Sequence, residues 1–403
     1  MRPRPEIALI SPYPPAGERH GGHSGVASYT ANLAQALARA GAAVTVVAAR
    51  LPADESSHEP SDFHDGDVRV QRRYPLGPSA LPRAAAAAVE LDADVIHLQW
   101  ELFLYGGPAA LAGLGPALVD LRRARQPLVT TMHQVLEPSS IDRSTTSLHR
   151  VGVPAPLARL GIGSVQRAVS AASSTTIVHE EAFRSAVRGS TTIPHGIETV
   201  QRLDRQLARR RLGLDDRLLA LSFGFLAPYK GLELVARAAA RSGSDVQVVV
   251  AGGEHPRLAD QRYADELAAL GSGRLRFTGR VPDGEVGTWF SAADVALFPY
   301  PQPFSASGAL ALALAHETPV LLSPALARCV GAPSSLHAEM EPASLATQLD
   351  ALAAHRAGLN DLAAWSRALR AGREWPSVAH RHIDTYEEVC DGQRPPRRRL
   401  RAA

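Results

Sequence analysis

The chain has 403 residues, 45% of them apolar and 21% charged, with a formal net charge of +3. That length exceeds one ordinary core and suits two domains of roughly 200 residues each, while the composition excludes a disordered chain. Part of the small charge comes from Arg394, Arg397, Arg398, Arg399 and Arg401; such a run could touch nucleic acid or an acidic membrane surface, but a solvated tail is the reading preferred, and no nucleic-acid partner is expected.

Two cysteines, Cys329 and Cys390, sit outside any CxxC pair. They make neither a disulfide framework nor a structural zinc site, which points to a reduced, cytoplasmic protein. No window approaches the roughly 18 apolar residues of a membrane span. The apolar run behind the basic start, residues 7–10, is too short for a signal-peptide core. The expectation is no transmembrane segment, with peripheral membrane contact left open.

In chain order, short β-branched runs alternate with Ala/Leu-rich stretches of helical period. Strands are predicted over 7–11, 44–49, 68–73, 94–98, 128–131, 175–178 and 191–193. Helices are predicted over 26–40, 80–90, 108–124, 157–171 and 180–187. The pattern restarts with strands at 218–223, 246–251, 275–278, 295–298 and 320–322, and helices at 231–241, 257–270, 283–292 and 309–316. Strands apolar on both faces and separated by helices imply parallel sheets between helical layers.

The expected organisation is α/β, with two Rossmann-like parallel-sheet domains over residues 1–197 and 217–375. A polar, Arg-rich stretch at 198–216 reads as the linker between them. A last amphipathic helix at 376–390 and a basic, solvated tail at 391–403 follow. Two such sheets in tandem put a cleft between them, and ligands of open α/β sheets lie beyond the strands' carboxyl ends.

The motifs fall in loops that follow strands. Gly21-Gly22-His23-Ser24-Gly25 opens a helix, where glycine amides and the helix dipole favour an anion; a flexible connector is the plain alternative. The ten residues separating Ser11 from Gly22 exclude the dinucleotide fingerprint. Gly224 to Gly231 again runs from strand to helix and carries Lys230, the sole lysine of the chain. A lysine there suits a diphosphate, in a sequence that otherwise uses arginine. Ser307-Gly308 starts a further helix with a hydroxyl and free amides, although serine is also a good N-cap. His133, after the strand ending near Thr131, is placed for chemistry or for structure.

Together these pieces resemble the family-4, group 1, retaining glycosyltransferases of the two-Rossmann-domain GT-B fold. The resemblance spans nearly the whole chain. It includes Asp94-Val95-Ile96-His97-Leu98-Gln99, Thr131-Met132-His133, Ile193-Pro194-His195-Gly196, Phe277-Thr278-Gly279-Arg280-Val281 and Thr318-Pro319-Val320. It implies that Gly22, Ser24 and Gly25 approach donor phosphates, that Lys230 neutralises them, and that Ser307 and Gly308 add contacts. It places Arg280 and Val281 near the nucleobase and His133 beside the transferred sugar. Gln99, Glu101, Gln134 and His195 are the expected acceptor-side or sugar-side residues. The final helix would cross back to the first domain.

The sequence departs from that pattern where two glutamates are usual: Phe304 and Leu312 stand there, and Phe225 replaces an arginine. This implies a Ser-Gly loop subgroup without the ribose-binding carboxylate. The activity expected is transfer of a hexosyl group from a nucleotide-diphosphate sugar to an acceptor hydroxyl, with no cofactor and no metal. The acceptor is a glycan, a lipid-linked sugar or a small molecule. A same-fold epimerase or phosphorylase, and a non-catalytic binding partner, are the competing readings.

Overall fold

The computed structural model describes residues 4–18, 24–51, 60–143, 146, 152–254, 261–302 and 307–393. Gly21, Gly22, His23, Phe304 and the tail from residue 394 lie outside the described residues.

Eight strands form the first sheet: β1 (Glu6–Ile10), β2 (Ala43–Ala49), β3 (Asp62–Asp65), β4 (Val68–Tyr74), β5 (Val95–Trp100), β6 (Leu128–Met132), β7 (Thr175–Val178) and β8 (Thr191–Thr192). Their order is β3-β4-β2-β1-β5-β6-β7-β8. All neighbours are parallel except β3 and β4. Every residue of β5 and β6 is buried, because helices cover both faces of the sheet. The sequence reading misses β3. Asp62-Phe63-His64-Asp65 has the charge of an edge strand, not of a core one, and Asp62 pairs with Arg73 at 2.7 Å.

The second sheet holds β9 (Leu218–Phe223), β10 (Val246–Ala251), β11 (Leu275–Phe277), β12 (Val295–Phe298) and β13 (Val320–Leu322) in the order β11-β10-β9-β12-β13. All its pairs are parallel. Strand order reverses between β1 and β5 in the first sheet and between β9 and β12 in the second. A crevice opens beyond the carboxyl ends of such strand pairs.

Three stretches differ from the sequence reading. Residues 108–124 form a 3-10 turn, Pro108–Gly113, and then the helix Leu114–Arg123; residues 180–187 hold only the 3-10 segment Glu181–Ser185. The Arg-rich stretch read as a linker contains the helix Arg205–Leu212, which packs on the helix Asp283–Ala292. Buried Asp294 gathers that stretch. It accepts from Arg209 at 2.6 Å, Arg205 at 2.8 Å, Arg356 at 3.3 Å and the Leu219 amide at 2.7 Å. Composition cannot distinguish arginines that converge on one carboxylate from arginines in water.

The last helix, Trp375–Gln393, packs on the helix Gly25–Arg39 and adds Val378, Ala379 and Tyr386 to the core around Ile7 and Leu9. The chain segments that cross between the domains pair with each other: Ile197 N donates to Arg373 O at 2.7 Å, and Trp375 N to Ile197 O at 3.3 Å. A Cβ on Gly196 would overlap the Trp375 ring, so glycine lets that ring lie against the crossing backbone. Among the described residues no helix is long and apolar enough to cross a membrane.

Candidate functional site

In the second domain the site is built at the ends of β9 and β12. Gly224 follows β9 with φ +105°, a conformation open to glycine, and a Cβ there would overlap Lys230 Nζ. Lys230 closes the 3-10 turn Pro228–Lys230, one residue short of the N-cap Gly231 of the helix Leu232–Ala239. Its side chain is folded inward, 8% exposed. Nζ donates to Phe223 O at 3.1 Å and lies 5.9 Å from the centre of the Tyr300 ring. Among the described residues no carboxylate pairs with it, and burial pushes the ammonium down to about 8.

Tyr300, just past β12, brings its hydroxyl to 3.1 Å from Ser307 Oγ. Ser307 is the N-cap of the helix Gly308–Ala315 and accepts from Leu310 N at 3.2 Å. Among the described residues, a Cβ on Gly308 would meet no atom within 4 Å beyond its own helix and chain neighbours. Leu312, at a position where glutamate is usual in the family it resembles, is partly buried against the core of the second sheet. Arg280 is exposed and Val281 half-buried, both after β11; Gly253 approaches the backbone of Arg280, and its neighbour Gly252 abuts Gly224.

The first domain contributes a cluster of imidazoles. His133, at the end of β6, is buried. Its Nε2 lies 2.8 Å from Gln99 Oε1 and its Nδ1 lies 3.3 Å from His179 Nε2. His179 Nδ1 donates to Ile193 O at 3.1 Å. On the other side, Gln99 Nε2 is 3.1 Å from His97 Nε2, and His97 Nδ1 is 2.7 Å from the Tyr386 hydroxyl of the last helix. The Tyr29 ring touches His133, His179, His195 and Trp375, with centroids 4.6 to 5.2 Å away. Desolvation drives His97 and His133 well below the ordinary imidazole value, His179 to about 3 and His195 to about 4.

His133 therefore has protein groups at both ring nitrogens, Gln99 at Nε2 and His179 at Nδ1. His195 is different. Its Nδ1 donates to Gly196 O at 2.8 Å, and it is half-buried. It lines an interdomain cavity together with Ser307, Leu310, Cys329, Glu180 and Arg373. Glu180 and Arg373 form a two-point ion pair at 2.6 and 2.9 Å on that wall.

His179 thus joins Gln99 and His133 to His195, Tyr300 joins Ser307 to Lys230, and His195 and Ser307 line one cavity. Ser24 and Gly25 stand at the start of the helix that carries Tyr29, and Ser24 Oγ accepts from Val26 N at 3.1 Å. Glu101 and Gln134 are half-buried at the ends of β5 and β6. His179, Tyr29, Tyr300 and the Glu180–Arg373 pair were not singled out as site residues. His179 was findable, since it follows β7 as His133 follows β6; no sequence spacing marks the others.

Residues 23–201 match the model of glycosyltransferase family 4, and residues 204–326 match that of the glycosyl transferases group 1. No curated protein matches the chain. Among solved structures, sucrose-phosphate synthase of Thermosynechococcus elongatus is similar at 21% identity, with a TM-score of 0.75, over 96% of this chain and 100% of that one. HepE of Anabaena, solved with UDP and glucose, is similar at 17% identity and TM-score 0.67, over 96% and 100% of the two chains. The trehalose-6-phosphate synthase OtsA follows at 13% and 0.67, over 95% and 99%. These likenesses show the GT-B fold, and the two family matches support a group 1 glycosyltransferase.

Proposed function

We propose that this chain, a GT-B protein whose halves match the family 4 and group 1 glycosyltransferase models, transfers a hexosyl group from a nucleotide-diphosphate sugar to an acceptor hydroxyl with retention. The observation that carries the reading is Lys230. A buried ammonium with one carbonyl partner and, among the described residues, no carboxylate is costly by itself, and an anion at the end of β9 removes that cost. HepE, of the same fold, is a UDP and glucose complex, which supports a nucleotide sugar as that anion.

In this reading the diphosphate lies between Lys230 and the start of the helix Gly308–Ala315, whose free amides and open Gly308 face an oxyanion. Arg280 and Val281 border the base, and Ser24 and Gly25 close the phosphate side from the first domain. As the bond from the sugar carbon to the phosphate oxygen breaks, its electron pair stays on the diphosphate. Lys230 stabilises that charge. The acceptor oxygen forms the new bond and gives up its proton. His195, with its proton fixed on Nδ1 by Gly196 O, offers Nε2 as a neutral acceptor for that hydroxyl, with Gln134 and Glu101 on the same side.

We assign the cation role to Lys230 without a metal or cofactor, so a chelator leaves turnover unchanged. The test is a thermal-shift panel of nucleotide sugars, followed by measuring nucleoside-diphosphate release with the best binder. A ligand at 100 times its Kd stabilises by about 2.7 kcal/mol. A panel in which no nucleotide sugar raises the melting temperature rejects the proposal. Binding without release favours the non-catalytic alternative.

A further inference from the structure

We infer that Tyr300 is a positioning residue for the anion site: its ring supports the Lys230 ammonium, and its hydroxyl turns the Ser307 proton outwards to a bound phosphate. The geometry begins at Gly231. That residue has φ +69°, and a Cβ on it would collide with the Pro299 carbonyl. The backbone beyond β12 therefore lies directly against the turn that carries Lys230, and it delivers Tyr300, the next residue, to a fixed place beside it. The ring centre is 5.9 Å from Nζ, within the range at which an aromatic face attracts a cation.

The surroundings give that attraction weight. Nζ donates to the Phe223 carbonyl and lies where Gly224 lacks a Cβ; a Cβ there would also come within 4.0 Å of the Ala309 methyl. Glu233, in the first turn of the helix Leu232–Ala239, forms no ion pair with it. Among the described residues, no carboxylate or guanidinium meets the ammonium from β9, the segment after β12 or the helix Gly308–Ala315. Burial moves Lys230 down to about 8, and an electron-rich ring face opposes that loss of charge.

The hydroxyl acts on the other side of the site. A serine oxygen has one proton and two lone pairs. One lone pair of Ser307 accepts from Leu310 N at 3.2 Å. The Tyr300 hydroxyl is 3.1 Å from the same oxygen, and burial pushes it up to about 12, so it holds its proton at neutral pH. When Tyr300 donates, both lone pairs of Ser307 are filled and its proton is left for an oxyanion at the helix start. The reverse order leaves Ser307 no proton to offer, so a bound phosphate selects the first.

This rests on the reading of the cleft as a diphosphate site, and two measurements separate the two claims. Lys230 is the sole lysine, so protein labelled with 13C-lysine gives one ε-carbon signal, whose pH titration follows the ammonium without any ligand. Tyr300→Phe should leave the midpoint near its wild-type value. Fluorinated phenylalanines at the same position keep the shape of the ring and drain electron density from its face. The midpoint should then fall stepwise, by about half a pH unit or more at full fluorination. A midpoint that ignores fluorination overturns the role of the ring.

The second measurement is calorimetric titration of inorganic pyrophosphate at pH 7, in a double-mutant cycle of Tyr300→Phe and Ser307→Ala. Tyr300→Phe should raise Kd about three- to tenfold in the wild-type background and leave it unchanged beside Ser307→Ala. An equal loss in both backgrounds, or none in either, overturns the role of the hydroxyl. Pyrophosphate that fails to bind the wild type overturns the diphosphate reading instead, and the lysine titration still decides for the ring.

Discussion

His195 of the first domain and Ser307 of the second line the same cavity, although 112 positions separate them (307 − 195 = 112). His195 precedes the crossing residue Ile197, and Ser307 caps the helix that follows β12 and the loop beyond it. The two therefore bring a neutral imidazole from one sheet to a helix N-terminus from the other. A group transfer between ligands held by different domains needs that juxtaposition.

The unpaired ammonium of Lys230 predicts a trade of stability for binding. Lys230→Met keeps the length of the side chain and removes a buried charge, so the ligand-free melting temperature should rise or hold. A fall of several degrees would mean that the ammonium has an anionic protein partner, contrary to the geometry described.

The pH dependence of donor binding follows from the same group. Lys230 is pushed down to about 8 by burial, so it is charged below that pH and neutral above it. Donor affinity should be full below pH 8 and fall as pH rises through it, by up to roughly tenfold per unit. The ligand-free protein has the opposite sign. The folded value lies below the ordinary lysine value of about 10.4, so stability relative to Lys230→Met increases between these two pH values. Calorimetric titrations from pH 6.5 to 9.5 measure the first effect, and an affinity that is flat across pH 8 refutes it.

Ser307 and Gly308 make separable contributions. Ser307→Ala removes a cap that the structure shows in place, at a cost of about 1 kcal/mol in stability. A Cβ at Gly308 meets no atom of the described residues beyond its own helix and chain neighbours, so Gly308→Val should keep the fold while donor affinity falls. Unchanged affinity in both variants would remove this helix from the donor site.

Asp294 supplies a structural control remote from the chemistry. Replacing it with alanine leaves the buried Arg209 guanidinium without its carboxylate, at an expected cost of about 3–5 kcal/mol. Denaturant unfolding measures this. A loss under 1 kcal/mol would show that the arginines reach water instead.

Much of this was legible in the sequence, and the exceptions share a physical cause. Parallel strands such as β5, β6, β9 and β10 are buried on both faces, so continuous apolar runs announce them. Lys230 stood out because no other lysine competes with it. His179 could have been read from its place after β7. The β3 edge strand, the Asp294 cluster and the Glu180–Arg373 pair depend on charges meeting across long sequence separations, which local composition does not encode. The role of His133 depends on which atoms its nitrogens face, and a motif carries no such information.

The central claim is that Lys230 meets the donor diphosphate. Isothermal titration of the panel's best nucleotide sugar, into wild type and Lys230→Met at pH 7, tests it most directly. Loss of a charge-assisted contact of roughly 1.5–3 kcal/mol predicts a Kd raised by about one to two powers of ten, with the variant as folded as the wild type. Equal affinity in the two proteins would contradict the account.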